Sequence, residues 1–264
     1  MKKQIEKILF FDFDGVLCDS ARETGRSAWF AGSMIWKEWQ GTDIPKTYFE
    51  KFIKLRPIIE TGYQAIALMK LISENYSESF LKQEFHFMME QVFTSVSLNR
   101  KMLINLFDRI RSDLVKFKLK TWLSWHKLYP WSKDIIGYGK SNFQEVYIVS
   151  TKHKKYIEIL LNNFGIRFNS KNIFGLETFE NKSTIIENIL KEKKVSPKNS
   201  VLIDDNCDTL RLIAANNFLK EMHLYLASWG YLFPETIEDF ETQKPPFKIL
   251  YPPLAEDMLK KESM

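Results

Sequence analysis

The run KILFFDF (7–13) is apolar almost throughout and short, which predicts a strand buried on both faces of a parallel sheet. From about residue 20 to 127 the pattern changes. TGYQAIALMKLISENY (61–76), ESFLKQEFHFMMEQVF (78–93) and NRKMLINLFDRIRSDLVKF (99–117) carry apolar residues three and four apart, the spacing of helices. Tyr129-Pro130 then punctuates the chain. Beyond it, strand-like runs at VYIVS (146–150), NIFG (172–175), SVLIDD (200–205) and HLYLAS (223–228) alternate with helical stretches at 154–165, 183–194 and 210–217. Gly165 stands where the first of these helices should end.

Repeated strand–helix units predict an α/β fold, a doubly wound, Rossmann-like parallel sheet with right-handed crossovers. The stretch between the first strand and Tyr129 is too long for a loop. An α-helical domain inserted at 18–128 into an α/β domain made of 1–17 and 129–264 is the simplest organisation.

Ligands of such sheets bind outside the carboxyl ends of the strands, so the residues at those ends matter most. The first strand ends in Asp12-Phe13-Asp14-Gly15, the second in Ser150-Thr151-Lys152, and SVLI in Asp204-Asp205-Asn206 with Asp208 beyond. Lys182 opens the helix between the last two. Any one aspartate after a strand is ordinarily a turn residue or a helix cap. Ser150 alone could cap a helix, and Lys182 alone would usually be a solvated side chain. Their coincidence at one sheet edge points elsewhere. Several carboxylates crowded together are costly unless a cation joins them, and carboxylate oxygens suit Mg²⁺.

The remaining composition narrows the class. With 45% hydrophobic and 27% charged residues among 264, disorder and low-complexity architectures are excluded. A net charge of +5 is too small and too dispersed to imply nucleic acid, though it is compatible with an anionic substrate. Two cysteines, Cys18 and Cys207, give neither a disulfide framework nor a metal spacing, and small buried thiols are the expectation for both. The basic start MKKQIEK is not followed by a signal-peptide core, and no apolar run is long enough to span a membrane. A soluble, cytoplasmic protein without membrane partner is expected, as monomer or homodimer. The seven Trp suggest core or helical-domain packing rather than a platform for bases.

In these residues the chain resembles the haloacid dehalogenase superfamily of phosphohydrolases, in its branch with a helical cap (phosphoglycolate phosphatase and β-phosphoglucomutase-like). ILFFDFDGVLCDS matches the superfamily's first motif, YIVST the second, Lys182 in ENKSTIIENIL the third and VLIDDNCD the acidic fourth. LYPWSKDIIGYGK (128–140) resembles the segment that leads from cap back to core. The resemblance implies Asp12 as nucleophile, Asp14 as general acid and base, Lys182 as the cation beside them, and Ser150 and Thr151 as phosphate contacts. It implies Mg²⁺ held by Asp12, the backbone carbonyl of Asp14 and the acidic group Asp204, Asp205 and Asp208, with Asp205 first among these. Asp208 falls one residue early for the trailing aspartate. An acid at Asp14 favours phosphoryl chemistry over dehalogenation, so the expected activity is a Mg²⁺-dependent phosphatase acting on a small phosphorylated metabolite. A sugar phosphomutase is the alternative, and a non-catalytic binding protein on the same fold a more distant one. Among the arginines of the helical domain, Arg22, Arg26 and Arg56, the last adjoins a proline break and is the expected contact to the rest of the substrate.

Overall fold

The computed structural model describes residues 7–178, 181–243 and 245–252; the basic start of the chain at 1–3 lies outside the described residues. Its elements begin with β1 (Ile8–Phe11) and β2 (Cys18–Asp19). Six helices follow: α1 (Ala21–Ser33), α2 (Lys46–Leu55), α3 (Gln64–Ser73), α4 (Glu78–Ser95), α5 (Arg100–Phe117) and α6 (Leu119–Ser124). Next come β3 (Lys127–Leu128), α7 (Ser132–Asn142), β4 (Glu145–Val149), α8 (Lys154–Asn163) and β5 (Ile173–Phe174). The chain continues through α9 (Lys182–Lys193), β6 (Ser200–Asp204), α10 (Cys207–Ala215), β7 (His223–Ala227), α11 (Pro234–Gln243) and β8 (Lys248–Leu250). They group into two compact units. One holds the described residues up to Asp19 and those from Leu128 onward, the other Ser20–Lys127.

The first unit is the expected α/β sheet, with six parallel strands in the order β5-β4-β1-β6-β7-β8. Every residue of β1 and β6 is buried, which is why those segments read as unbroken apolar runs. Alternation still sets the faces. Ile8 and Phe10 join Tyr147, Val149, Leu202, Leu224 and Leu226 in a core closed by Ile185, Ile186 and Ile189 of α9 and by Leu210 and Ile213 of α10. Each such side chain contributes about 1.5–3 kcal/mol on burial.

On the other face lies α7, which the sequence pattern does not reveal because Gly137 and Gly139 dilute its apolar spacing. Gly139 has a packing reason. A Cβ there would stand 2.8 Å from Leu9 and 3.3 Å from Val146, so this helix approaches the sheet more closely than a larger residue permits. The edge strand β8 and the helix α11 also escape the sequence pattern. At three residues, one exposed and one half-buried, β8 is too short to show a period.

The second unit is helical. Its central helix α3 buries all of Ala65–Met69 together with Leu71 and Ile72, so it is apolar nearly all round. Ser77 and Asn99 cap α4 and α5, each side chain accepting from a backbone N–H three residues on. Inside this unit Glu23, wholly buried, accepts from Arg111 Nε at 2.8 Å and Nη2 at 2.6 Å, from Ser27 Oγ at 2.6 Å and from Trp122 Nε1 at 3.2 Å. Trp29 stacks on Trp39 at 4.2 Å between ring centroids, beside Gly32. These tryptophans pack. No helix among the described residues is long and apolar enough to cross a membrane.

Candidate active site

Three neighbouring strands bring the motif residues together. Phe11 is level with Ile148 of β4 and Ile203 of β6, so the residues that follow, Asp12, Val149 and Asp204, stand at one height at this edge of the sheet. Asp12 extends the ladder one step, its N–H donating to Ile203 O at 3.0 Å. The chain then turns sharply, with Leu17 N and Cys18 N both donating to Phe13 O at 2.9 Å. Gly15 makes this turn possible at φ +86°. It also lies against Asp205, for a Cβ at Gly15 would come 1.9 Å from Asp205 Oδ2.

The carboxylates of Asp12, Asp204 and Asp205 are buried, and each offers an oxygen within 4.8 Å of the others. Lys182 enters from the first turn of α9, whose start Asn181 fixes by accepting from Thr184 N at 2.8 Å. Its Nζ stands 3.1 Å from Asp12 Oδ2 and 2.6 Å from Asp204 Oδ2. Asp204 Oδ1 accepts from Asn206 N at 2.9 Å. Burial pushes the Asp12 carboxyl up to about 6, against the opposing pull of Lys182, with Asp204 and Asp14 raising it and a hydrogen bond from Ser150 lowering it. Burial disfavours the Lys182 ammonium, yet Asp12 and Asp204 more than offset this and hold its pKa above the usual lysine value.

Three carboxylates against one ammonium leave two negative charges in a buried cluster of hard oxygen donors. That donor set fits a divalent cation such as Mg²⁺.

Asp14 sits beside this cluster in an environment the sequence did not predict. Both its oxygens lie 3.2 Å from Nζ of Lys152, whose side chain is wholly buried. Ser150 is buried and Thr151 exposed; with Lys182 they line a cavity of about 300 Å³. A larger cavity of about 610 Å³ lies at the other end of β4, around Glu145 and Lys193, and is lined by none of Asp12, Asp14, Ser150, Thr151, Lys182, Asp204, Asp205 and Asp208. Asp208 stands apart from the carboxylate group among the described residues. Its side chain is 73% exposed and pairs with Arg211 at 2.9 Å. Arg56 belongs to the helical unit, is 9% exposed, and donates from Nη1 to Ile59 O at 2.8 Å. Arg22 is exposed and Arg26 half-buried, the latter stacked over Phe49 at 4.3 Å. Burial raises the Cys207 thiol, which leaves it a poor nucleophile.

Two contributions are absent from the sequence reading. One is Lys152, quoted as a strand end but given no task. The other is the turn after β7. Tyr231 N donates to Asp205 Oδ2 at 2.7 Å, and Tyr231 Oη donates to Asp19 at 3.1 Å. Trp229 Nε1 donates to Val16 O at 3.0 Å. A Cβ at Gly230 would lie 2.2 Å from Cβ of Asp205, so Gly15 and Gly230 close on that aspartate from two sides. The available signal was the Trp-Gly-Tyr turn at the carboxyl end of an apolar strand.

Known proteins resemble the chain in sequence family and in fold. Residues 56–217 match the family of haloacid dehalogenase-like hydrolases. A predicted phosphatase from Clostridium acetobutylicum has a similar structure, with TM-score 0.62 and 14% identity over 97% of this chain and 99% of that one. A predicted phosphoglycolate phosphatase from Haemophilus somnus gives 0.57 and 15%, over 99% of each chain. A hydrolase from Pseudomonas syringae gives 0.57 and 13%, over 97% and 99%. At these identities the likeness is one of fold. No curated protein matches the chain.

Proposed function

The chain belongs to the haloacid dehalogenase-like hydrolases, and from that premise we propose that it is a Mg²⁺-dependent phosphatase that hydrolyses a small phosphorylated metabolite through an aspartyl-phosphate. The observation that carries the reading is the buried group of Asp12, Asp204 and Asp205 with Lys182 bridging two of its members.

Asp12 attacks phosphorus, and the bond to the leaving oxygen breaks as the new P–O bond forms. Asp14 gives its proton to that leaving oxygen, then takes one from the water that attacks the aspartyl-phosphate, so Asp12 and the proton on Asp14 are both restored. Lys182 offsets the negative charge where Asp12 meets the phosphoryl group. Ser150 turns its hydroxyl to a phosphoryl oxygen, and Thr151 lines the same cavity. Asp12, Asp205 and the backbone carbonyl of Asp14 would hold Mg²⁺, with Asp204 tying Lys182 to the group and Asp208 at its margin. Bound there, Mg²⁺ supplies Lewis-acid stabilisation and a template for the phosphoryl oxygens.

The test is a panel of phosphomonoesters with and without chelator, using the wild type and Asp12→Asn. The reading expects Mg²⁺-dependent phosphate release that Asp12→Asn abolishes. Phosphoryl transfer to a sugar phosphate without net phosphate release would make the protein a mutase. Inertness across the panel would leave a binding protein. Turnover by Asp12→Asn near the wild-type rate would remove Asp12 from the nucleophilic role.

A further inference from the structure

We propose that Lys152 is a positioning residue that fixes the carboxylate of Asp14 for proton transfer to the leaving group; this rests on the phosphatase reading above.

The geometry carries the inference. One ammonium stands equally far, at 3.2 Å, from both oxygens of Asp14, so it restrains the carboxylate's rotation about its last torsion. The Lys152 side chain is wholly buried while that of Asp14 is 16% exposed, so the lysine lies behind the acid and leaves part of it open. Burying an ammonium is costly unless a counter-charge is held against it, so the pairing is a strong constraint on where both groups stand.

The backbone of Lys152 is itself anchored. Its N–H donates to Ser150 Oγ at 3.3 Å and its carbonyl accepts from Leu176 N at 3.2 Å. Gly175 allows that contact, because a Cβ there would lie 2.7 Å from Lys152 O and 2.4 Å from Lys154 N. A lysine rooted in a fixed turn, two residues from Ser150, therefore transmits the position of the β4 end to the group that follows β1. Lys182 serves a different pair, Asp12 and Asp204. Lys152, and not Lys182, is the lysine held against the proposed acid.

A residue acting through Asp14 affects a reaction only as far as that reaction needs Asp14's proton. An alkyl phosphate expels an alkoxide and needs the proton; p-nitrophenyl phosphate expels a stabilised phenolate and scarcely does. The relevant quantity is kcat/KM, which reports the steps through leaving-group departure. Lys152→Met is expected to lower kcat/KM for an alkyl phosphate by about 10²-fold, the low end of what general acid catalysis contributes. The fall for p-nitrophenyl phosphate should be under about 10-fold, the difference being the acid's share. Lys152→Arg, which keeps a cation but changes its shape, should recover part of the loss. In an Asp14→Asn background the further change Lys152→Met should add nothing on the alkyl ester, since the group it serves is gone.

Equal falls on both esters, or full additivity with Asp14→Asn, would overturn the proposal and leave Lys152 a structural residue. A crystal structure of Lys152→Met provides a readout that needs no turnover. A changed Asp14 rotamer supports positioning, and an unchanged one refutes it. A wild type inert towards both esters counts against the phosphatase reading, whereas a selective defect missing from an active enzyme counts against Lys152 alone.

Discussion

At the scale of single residues, the carboxylate group separates members that can hold a cation from one that faces solvent. Asp205 is clasped between Gly15 and Gly230 and takes a hydrogen bond from Tyr231 N, whereas Asp208 is turned outward to Arg211. Asp205→Asn should therefore weaken Mg²⁺ binding strongly in a calorimetric titration, and Asp208→Asn by less than about 10-fold, within the range for groups that only support the ligands. Gly230→Ala should weaken it too without touching a carboxylate, because the new methyl group must displace Asp205. Equal losses from Asp205→Asn and Asp208→Asn would return Asp208 to the metal.

Asp12 adds a pH dependence. Its pKa is raised by burial from 3.8 to about 6 in the fold, so ionised Asp12 subtracts stability above the folded value and the deficit shrinks as pH falls through 6 towards 4. Mg²⁺ favours the ionised form and competes with that proton. The rise in Tm on saturating with Mg²⁺ should accordingly be larger near about pH 7.5 than near about pH 5. A shift independent of pH would mean that Asp12 is not among the ligands. These aspartates and Ser150 were legible because each ends or follows an apolar run, and Lys182 because it opens the helix between two such runs. Lys152 and Tyr231 were not, since their significance lies in contacts with residues over 100 positions away.

At the scale of elements, the strands were readable where burial on both faces makes them uniformly apolar, as in β1 and β6, and unreadable where they are short, as in β8. The helix α7 was hidden by the very glycine that lets it lie close to Leu9. Inside the helical unit, periodicity located α3, α4 and α5 but could not show that α1 and α5 are joined by a buried ion pair. Glu23 and Arg111 look like surface residues in sequence, yet their side chains are 0% and 8% exposed. Removing one partner strands the other charge in the interior. Glu23→Ala should thus cost about 3–5 kcal/mol in urea unfolding, while replacing both residues with Met should cost much less, because no unpaired charge remains. If the double variant is the less stable, the pair contributes net stability and the desolvation argument fails here.

At the scale of the whole molecule, the groups proposed for chemistry all come from the unit containing the sheet: Asp12, Asp14, Ser150, Lys152, Lys182, Asp204 and Asp205. In the proposed mechanism they meet the phosphoryl group and the leaving oxygen, which every candidate ester shares, so they would not by themselves choose among esters. The sequence pointed to Arg56 of the helical unit for that choice, reasoning that a proline break presents its side chain outward. At that break Arg56–Ile58 form a short turn, and the Arg56 side chain, 9% exposed, donates to Ile59 O. Arg56→Ala leaves a buried carbonyl without that donor, a loss of about 1–3 kcal/mol. For a chain of this size that lowers Tm by roughly 2–12 °C. The expected outcome is a lower Tm with an unchanged ratio of kcat/KM between the best substrate and p-nitrophenyl phosphate. A changed ratio at unchanged Tm would make Arg56 a contact to the leaving group. The comparison separates the two roles because support of a fold acts on all esters alike, whereas a substrate contact acts only on the ester that reaches it.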